Sequence, residues 1–213
     1  MGKEFILMSG GLDSTTLAYH LKNEKKINIE GLFMDYGQPT SSEELKTVRD
    51  IGNDLQINIR RVDLSTIWSN FENEGLDPYA AACTETANIF APILLAATFA
   101  YAAGSTKLYS AFHATDVQLF SSTVPVLKSQ EKIMEEVSKK KGVNFQYALP
   151  FINYSKAQVI EIGHSLKVPF EKTLTCLNND KTSEGHCGEC NPCKTRRKAF
   201  KEANIFDKTN YAK

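Results

Sequence analysis

Short apolar runs alternate with longer amphipathic stretches along the first part of the chain. The runs at residues 5–8 and 27–36 have the length and apolar content of buried strands, and residues 57–64 are predicted to form a third strand. The stretches that begin near Leu12 and Ser41 repeat their apolar positions every three or four residues, as helices do. Strands separated by helices of this length form βαβ units, which make the sheet parallel and cover both of its faces. The predicted fold class is therefore α/β, a doubly wound parallel sheet of the Rossmann-like type.

The rest of the chain continues this alternation. Further strands are predicted at residues 107–112 and just before Pro150, and helices at residues 89–103, 125–141, 155–167 and 195–203. The helix at 89–103, which Asn88 can cap, is apolar nearly all round, so we expect it to be buried in the domain or at the interface of a homodimer. Residues 65–86 lack a clear period and are predicted to form a loop or lid near the site.

The turn after the first strand, SGGLDS at residues 9–14, carries the strongest chemical signal. Its two adjacent glycines allow a sharp turn and let backbone N–H groups converge on an anion at the start of a helix, where the helix dipole also favours negative charge. The hydroxyls of Ser9, Ser14 and Thr15 can add donors, and Asp13 can hold a metal ion or cap the helix. No Gly-Lys-Ser/Thr follows, which excludes a P-loop. A phosphate is the predicted ligand, and an ordinary strand-to-helix turn is the alternative.

Other polar residues follow the strands of the predicted sheet. Asp35 and Gln38 come directly after the second strand, and Thr115 and Asp116 come after the fourth. Ligands of parallel α/β folds bind beyond the carboxyl ends of the strands. We therefore expect these side chains to lie at the same edge as the glycine turn.

Composition narrows the classes of protein that fit. Apolar residues make up 42% and charged residues 23% of the chain, which is typical of a folded globular domain and excludes a disordered one. Lys plus Arg and Asp plus Glu both number 25, so the protein as a whole has no charge bias toward nucleic acid or an anionic membrane. With neither a signal-peptide pattern nor an apolar run of about 20 residues, no membrane association is expected and the predicted location is the cytoplasm.

A cluster of cysteines near the end of the chain indicates a metal site. Its members are Cys176, Cys187, Cys190 and Cys193. Four thiolates complete the tetrahedral coordination of structural zinc and leave no open position. An iron–sulfur cluster uses the same ligands, a redox pair needs only two, and His186 can replace one thiolate. The prediction is a zinc-binding knuckle within residues 172–203, as part of a single domain at 1–213.

Two other features have competing interpretations. Cys83 is expected to be a small buried residue, and the alternative is a reactive thiol. The basic run at residues 194–198 can contact RNA phosphates, pair with acidic neighbours or contact ATP. RNA binding is the less favoured of these.

Residues 9–14 resemble the PP-loop of the ATP pyrophosphatases, which holds the pyrophosphate end of ATP. Together with DYGQ at residues 35–38 and the C-terminal TLTC…HCGECNPCKTRRKAF, they resemble the 7-cyano-7-deazaguanine synthase family from end to end. The resemblance implies adenylation of 7-carboxy-7-deazaguanine by ATP, displacement of AMP by ammonia to form an amide, and a second ATP-dependent step to the nitrile. It also implies Mg²⁺ with ATP, structural Zn²⁺ and a homodimer.

Roles for individual residues follow from this resemblance. The implied ATP site comprises Ser9, Gly10, Gly11, Leu12, Asp13, Ser14, Thr15, Asp35 and Gln38. Asp13, Ser14 and Lys156 are the implied catalytic residues, with Lys156 neutralising phosphate charge. The implied substrate contacts are Asn88, Thr115 and Asp116, and the four cysteines are the implied zinc ligands.

Three segments depart from the family pattern. The family has Arg-His where this chain has Pro39-Thr40. It has Pro-Gly-Arg-Asn where this chain has ETAN at residues 85–88, and a Tyr-Pro-Asp segment where this chain has LFSST at residues 119–123. Cationic donors are hard to replace in a site that handles a carboxylate and phosphates. A second interpretation is therefore a paralogue that activates the same acid and conjugates it to an amine on a protein, nucleic acid or small molecule, stopping at the amide.

Two further interpretations remain. One is other PP-loop chemistry such as tRNA thiolation, for which Cys83 is the only cysteine outside the zinc set. The other is a non-catalytic, zinc-stabilised nucleotide-binding scaffold. Intact Asp13 and Lys156 disfavour the scaffold, because a protein without turnover need not retain charge partners for a metal and phosphates.

Overall fold

The computed structural model describes residues 3–74, 90–119, 123–139, 142, 144–178 and 185–212. The strands of these residues form one sheet, and they are β1 Glu4–Leu7, β2 Ile29–Asp35, β3 Ile59–Asp63, β4 Lys107–Tyr109 and β5 Gln146–Ala148. Their order across the sheet is β3-β2-β1-β4-β5, and every neighbouring pair is parallel. β1 is therefore central, and the chain moves outward from it in opposite directions in its two halves, as in a doubly wound sheet.

Helices connect the strands and cover the sheet. They are α1 Leu12–Tyr19, α2 Ser41–Leu55, α3 Ser65–Asn73, α4 Phe90–Ala102, α5 Ala114–Leu119, α6 Thr123–Lys139, α7 Lys156–Ser165 and α8 Asn191–Glu202. α1 continues into a π-helical turn at His20–Glu24, and a 3₁₀ turn at Phe170–Lys172 follows α7. Within the described part of the chain, none of these helices is both long and apolar enough to cross a membrane.

The two faces of the sheet pack against different helices. Phe5 and Ile6 are adjacent in β1, so they point to opposite faces, and both are almost wholly buried. Ile6 belongs to a core cluster with residues of α1, α2, α7 and α8, whereas Phe5 packs with residues of α4 and α6. A central strand buried on both sides is what a parallel sheet covered by helices requires. The predicted α/β fold is confirmed.

Residues 65–73 are helical, so the predicted loop or lid through 65–86 is wrong in its first part. The N–H of Ser65 donates to Asp63 Oδ1 at 3.0 Å, and this carboxylate satisfies a donor at the start of α3. The helix is short and of mixed polarity, which gives its apolar positions little room to show a period. Residues 75–86 lie outside the described residues.

α8 begins at Asn191 rather than at the predicted residue 195. Cys190 is its N-cap, and Pro192 lies in the first turn, where an N–H would have no intrahelical acceptor in any case. The second C-x-x-C knuckle is therefore the first turn of a helix rather than a loop before one. β4 is also shorter than predicted, because the chain leaves the sheet after Tyr109 and soon forms α5, which was not predicted.

α4 is buried on one face rather than all round. Ala96, Ala97 and Ala100 are wholly buried against the sheet, whereas Leu95 is 40% exposed. The predicted burial of this helix is confirmed for the alanine face. The homodimer stays a prediction.

Candidate functional site

The loop between β1 and α1 makes a tight turn at the carboxyl edge of the sheet. Gly10 has a φ of +74°, and a Cβ at this position would lie 3.1 Å from the carbonyl oxygen of Glu44. Gly11 is the N-cap of α1, with an extended backbone and no side-chain hydrogen bond. Asp13 is therefore not the cap of this helix, and its carboxylate is available for other partners.

Two serine hydroxyls hold the loop closed. The Ser14 hydroxyl donates to the Gly11 carbonyl oxygen at 3.2 Å and accepts from the Ser9 N–H at 3.3 Å. The Ser9 hydroxyl accepts from the Gly11 N–H at 3.4 Å. The first backbone N–H groups of a helix have no intrahelical acceptor, so the start of α1 can bind an anion, which the helix dipole also favours.

A cavity of about 300 Å³ opens beside this loop. Its polar lining includes Ser9, Gly11, Asp13, Ser14, Gln38, Glu44 and Asp116, and its apolar lining includes Met8, Met34, Ile93 and Phe112. Binding sites for small molecules commonly combine a few polar groups with a mostly apolar wall. Backbone donors at the start of α1 suit a phosphate and the apolar wall suits a flat ring, so the cavity fits a ligand that joins the two.

Asp13, which lines the cavity, forms an ion pair with Lys156. Lys156 Nζ lies 2.6 Å from Asp13 Oδ2, and the side chains are only 13% and 25% exposed. Burial by itself would raise the pKa of Asp13, but the Lys156 charge and the neighbouring His113 outweigh it and hold that pKa well below its usual range. Asp13 Oδ1 is buried and has no hydrogen-bond partner in the described part of the chain. An anionic oxygen whose nearest donor is His113 Nε2, as far away as 3.5 Å, fits a divalent cation such as Mg²⁺.

The start of α7 positions Lys156. The side chain of Ser155 accepts from the Gln158 N–H, and the side chain of Gln158 accepts from the Ser155 N–H, which makes a complete capping box. The helix predicted from residue 155 is confirmed, and Ser155 is its N-cap. The Lys156 N–H also donates to Thr115 Oγ1 at 3.4 Å, so the helix is joined to the turn after β4.

His113, which the sequence analysis did not single out, lies between the two aspartates of the site. Its backbone N–H donates to Asp116 Oδ2 at 3.0 Å, and its Nδ1 accepts from the Asp116 N–H at 3.3 Å. Its Nε2 lies 3.5 Å from both Asp13 Oδ1 and Lys156 Nζ. Burial raises the pKa of Asp116, and the charge of Asp13 raises it further. A lone histidine has no periodic or spacing signal, so only the fold shows this position.

Asp35 does not line the cavity. It is 4% exposed, its Oδ1 accepts from the Gly37 N–H at 3.1 Å, and its Oδ2 accepts from Arg61 Nε at 2.8 Å. These bonds shape the turn after β2. The prediction that Asp35 contacts the cofactor is not supported, because its oxygens are already used within the protein.

Gln38 does line the cavity and holds Glu44 beside it. Gln38 Nε2 donates to Glu44 Oε2 at 2.8 Å, and the Thr40 hydroxyl donates to Glu44 Oε1 at 2.7 Å. Burial raises the pKa of Glu44. The sequence analysis did not single out Glu44, because its place in the cavity depends on these contacts with the preceding turn.

The other residues that were predicted for the site lie in the turn, in the core or outside the described residues. The side chain of Leu12 is buried in the core, and Gly10 shapes the turn. Thr15 is wholly buried and does not line the cavity, and its hydroxyl has no hydrogen-bond partner among the described residues, so its donation to a phosphate stays a prediction. Asn88 and Cys83 lie outside the described residues.

The four cysteines converge as predicted. The Sγ atoms of Cys176, Cys187, Cys190 and Cys193 all lie within 4.8 Å of one another, and no other group of three or more ligand-type side chains does so among the described residues. All four are free thiols. The N–H of Cys190 lowers the pKa of Cys187 to about 6. Four converging thiols fit a metal with tetrahedral thiolate coordination.

His186 supports this centre without replacing a ligand. Its Nε2 accepts from the Thr175 N–H at 2.8 Å, in the segment that leads into Cys176. Burial lowers the pKa of His186 to about 4, which keeps the ring neutral and able to accept this bond at pH 7. The alternative of His186 as a metal ligand is therefore not supported.

Comparison with known proteins places these features in a family. Residues 3–204 match the family described as queuosine biosynthesis protein QueC. The 7-cyano-7-deazaguanine synthase of Methanosphaerula palustris is 27% identical over 98% of this chain and 99% of its own length. The 7-cyano-7-deazaguanine synthase 1 of Sulfurisphaera tokodaii is 30% identical over 98% of each chain.

One solved structure has a similar fold. The U34-tRNA thiolase NcsA from Methanococcus maripaludis, solved with its 4Fe-4S cluster, aligns with a TM-score of 0.53 at 14% identity. The alignment covers 96% of this chain and 73% of that one. At this identity the likeness concerns the fold alone.

Proposed function

The chain belongs to the QueC family of queuosine biosynthesis proteins, and on that premise we propose that it is an ATP-dependent ligase that acts on 7-carboxy-7-deazaguanine. The proposed product is the amide and then the nitrile, 7-cyano-7-deazaguanine. The names of the curated relatives support this substrate class, and the phosphate loop and cavity described above support the use of ATP.

The proposed chemistry has two halves. In the first, a carboxylate oxygen of the acid attacks the α-phosphorus of ATP, the bond from that phosphorus to the bridging oxygen breaks, and pyrophosphate leaves. Ammonia then attacks the acyl carbon and loses a proton, and AMP leaves to give the amide. In the second half, the amide oxygen attacks the α-phosphorus of another ATP and pyrophosphate leaves. The C–O bond of the adenylated amide then breaks, and loss of AMP and two protons gives the nitrile.

The buried pair of Asp13 and Lys156 beside the start of α1 is the observation that carries this proposal. N–H groups of the loop and of the first turn of α1 would bind the phosphates, and Lys156 would neutralise charge that develops on them. Asp13, whose Oδ1 lacks a hydrogen-bond partner within the described chain, would hold Mg²⁺. Bound Mg²⁺ would shield the charge of the phosphates and so favour attack by an anion.

We propose Zn²⁺ for the cysteine centre, in a structural role. Four thiolates leave no coordination position for a substrate, and the C-x-x-C spacing is that of zinc knuckles. An iron–sulfur cluster takes the same four ligands. Metal analysis and the absorption spectrum of the purified protein distinguish the two, because a zinc–thiolate site is colourless.

Conjugation of the activated acid to another amine is the second candidate function. Thr40 stands where the family pattern has a histidine, is 1% exposed, and donates its hydroxyl to Glu44. This position therefore adds no cation to the cavity. A site with fewer cationic groups favours a different amine acceptor, and a different final product, from those of the nitrile-forming relatives.

Mass spectrometry of the products tests the proposal. The metal-loaded protein is incubated with magnesium-ATP, 7-carboxy-7-deazaguanine and ammonium. Release of AMP with formation of the nitrile is the expected result. An amide or adenylate that goes no further supports the conjugating candidate, and intact ATP contradicts both.

Asp13→Ala tests the role of the ion pair. We expect it to abolish AMP release while the protein stays folded, because the charge pair is at the cavity rather than in the core. Asp54→Ala is the matched control, since Asp54 pairs with Lys172 at 3.0 Å on the exposed surface. Unchanged turnover in Asp13→Ala would rule out the PP-loop assignment.

A further inference from the structure

Arg196 is wholly buried although it lies in the basic run that the sequence analysis considered for RNA binding. Its Nη1 donates to the hydroxyl oxygens of Thr173 and Thr175, at 2.8 and 2.9 Å. Its Nη2 donates to the Phe170 carbonyl oxygen at 2.8 Å, and its Nε to Asp207 Oδ2 at 3.3 Å. A buried guanidinium with this many partners fixes the groups around it in one geometry.

The segment that Arg196 fixes is also a wall of the phosphate loop. Leu174 lies between the two threonines, and its N–H donates to the Gly10 carbonyl oxygen at 2.9 Å. The Leu174 carbonyl oxygen lies 3.6 Å from the place that a Cβ on Gly11 would occupy. The backbone of residue 174 therefore contacts both glycines of the loop.

The cysteine centre holds the same segment from its other end. Cys176 directly follows Thr175, and its Sγ accepts from the Cys187 N–H at 3.3 Å. Cys193 lies on α8 one turn before Arg196, so one of the four cysteines and the guanidinium project from the same helix. Any change in the position of α8 must therefore act on residues 173–176.

We propose that Arg196 is a positioning residue that couples the cysteine centre to the phosphate loop and thereby sets the affinity for ATP. The proposal rests on the ATP-dependent function above. α8 thus takes part in nucleotide binding although no atom of α8 lines the cavity. Arg196 acts through Thr173 and Thr175, which keep Leu174 against Gly10.

Arg196→Lys is the direct test, because it keeps the charge and loses the planar fork. Binding of magnesium-ATP is measured by calorimetry at a temperature well below the unfolding midpoint of every variant. We expect the ATP Kd to rise about tenfold, as for loss of a buried charged hydrogen bond. Thr173→Val removes one acceptor without touching the charge, and it decides the question if Arg196→Lys does not fold.

Two controls separate positioning from stability. Arg60→Lys makes the same chemical change at the amino-terminal edge of the sheet, where Arg60 pairs with Glu30. Phe145→Leu destabilises the core cluster on the face that packs against α4 and α6. Both are expected to leave the ATP Kd within about twofold of wild type, because neither contacts residues 170–176.

The outcomes distinguish this inference from the proposed function. An ATP Kd that rises in Arg196→Lys and Thr173→Val but not in the controls supports the coupling. Equal Kd values in all variants would overturn the coupling and leave the proposed function standing. Failure of the wild-type protein to bind magnesium-ATP would overturn both.

Discussion

Replacing Gly10 with alanine perturbs the phosphate loop in a way that the structure makes quantitative. Gly10 has a φ of +74°, where residues with a Cβ are strained. The added Cβ would also lie 3.1 Å from the backbone carbonyl oxygen of Glu44 and 3.2 Å from the Cβ of Thr47. Backbone and a β-branched side chain cannot move aside easily, so both effects should appear in the free energy of unfolding.

The expected loss of stability is about 2–5 kcal/mol. The left-handed backbone accounts for about 1–2 kcal/mol and the crowding against α2 for the rest, since overpacking of this kind costs about 1–3 kcal/mol. Gly104 provides a control for the first effect. It has a φ of +86°, and nothing lies within 4 Å of its Cβ position, so Gly104→Ala should cost only about 1–2 kcal/mol.

Gly11→Ala completes the comparison. Gly11 has an ordinary φ of −72°, and its nearest contact would be Ser9 Oγ at 3.3 Å, yet Gly11 lines the cavity. We therefore expect little loss of stability and clearly weaker ATP binding. Urea denaturation and ATP calorimetry on the three variants measure both quantities. We expect Gly10→Ala to lose more stability than Gly104→Ala. An equal or smaller loss in Gly10→Ala would refute the close packing of the loop against α2.

Two further predictions concern the C-terminal part of the chain. Cys190→Ser should remove bound zinc and destabilise the whole fold, because a structural metal site contributes folding free energy; normal metal content and an unchanged thermal midpoint would contradict this. Burial raises the pKa of Asp207, but hydrogen bonds from Thr209 and Tyr211 and the Arg196 charge outweigh it and lower that pKa. The stability that ionised Asp207 contributes to the fold is therefore present above the pKa of an unfolded aspartate, about 4, and is lost as the pH falls through the pKa of Asp207 in the folded protein. Asp207→Asn should lower the free energy of unfolding by about 1–3 kcal/mol at pH 7. In denaturation experiments the difference in this free energy between variant and wild type should close below about pH 4, and a difference that stays constant with pH would count against this.

Features encoded by short-range patterns could be predicted from the sequence. The strands β1 and β2 show as apolar runs, and the SGGLDS turn at residues 9–14 combines several requirements of one loop in consecutive positions. The cysteine centre is equally local, because the C-x-x-C spacing matches the geometry of a metal knuckle. These features need no knowledge of which distant segments meet.

Features that depend on distant contacts could not be predicted in this way. His113 reaches Asp13 only because β4 lies next to β1 in the sheet. Pairing with acidic neighbours is one of the interpretations of the basic run that contains Arg196, but nothing near Arg196 in sequence indicates that Thr173 and Asp207 receive its donors. Asp35 has the residue type and location of a ligand contact, yet Arg61 on the neighbouring strand occupies its carboxylate.

Exchange of labelled pyrophosphate into ATP tests the central claim most directly, because it requires reversible formation of an acyl-adenylate and no acceptor. The wild-type protein is incubated with magnesium-ATP and labelled pyrophosphate, with and without 7-carboxy-7-deazaguanine. Exchange that depends on the acid and is absent in Asp13→Ala is the result we predict. Absence of exchange with the acid present, or release of ADP and phosphate instead, would contradict the assignment of this chain as an adenylating ligase.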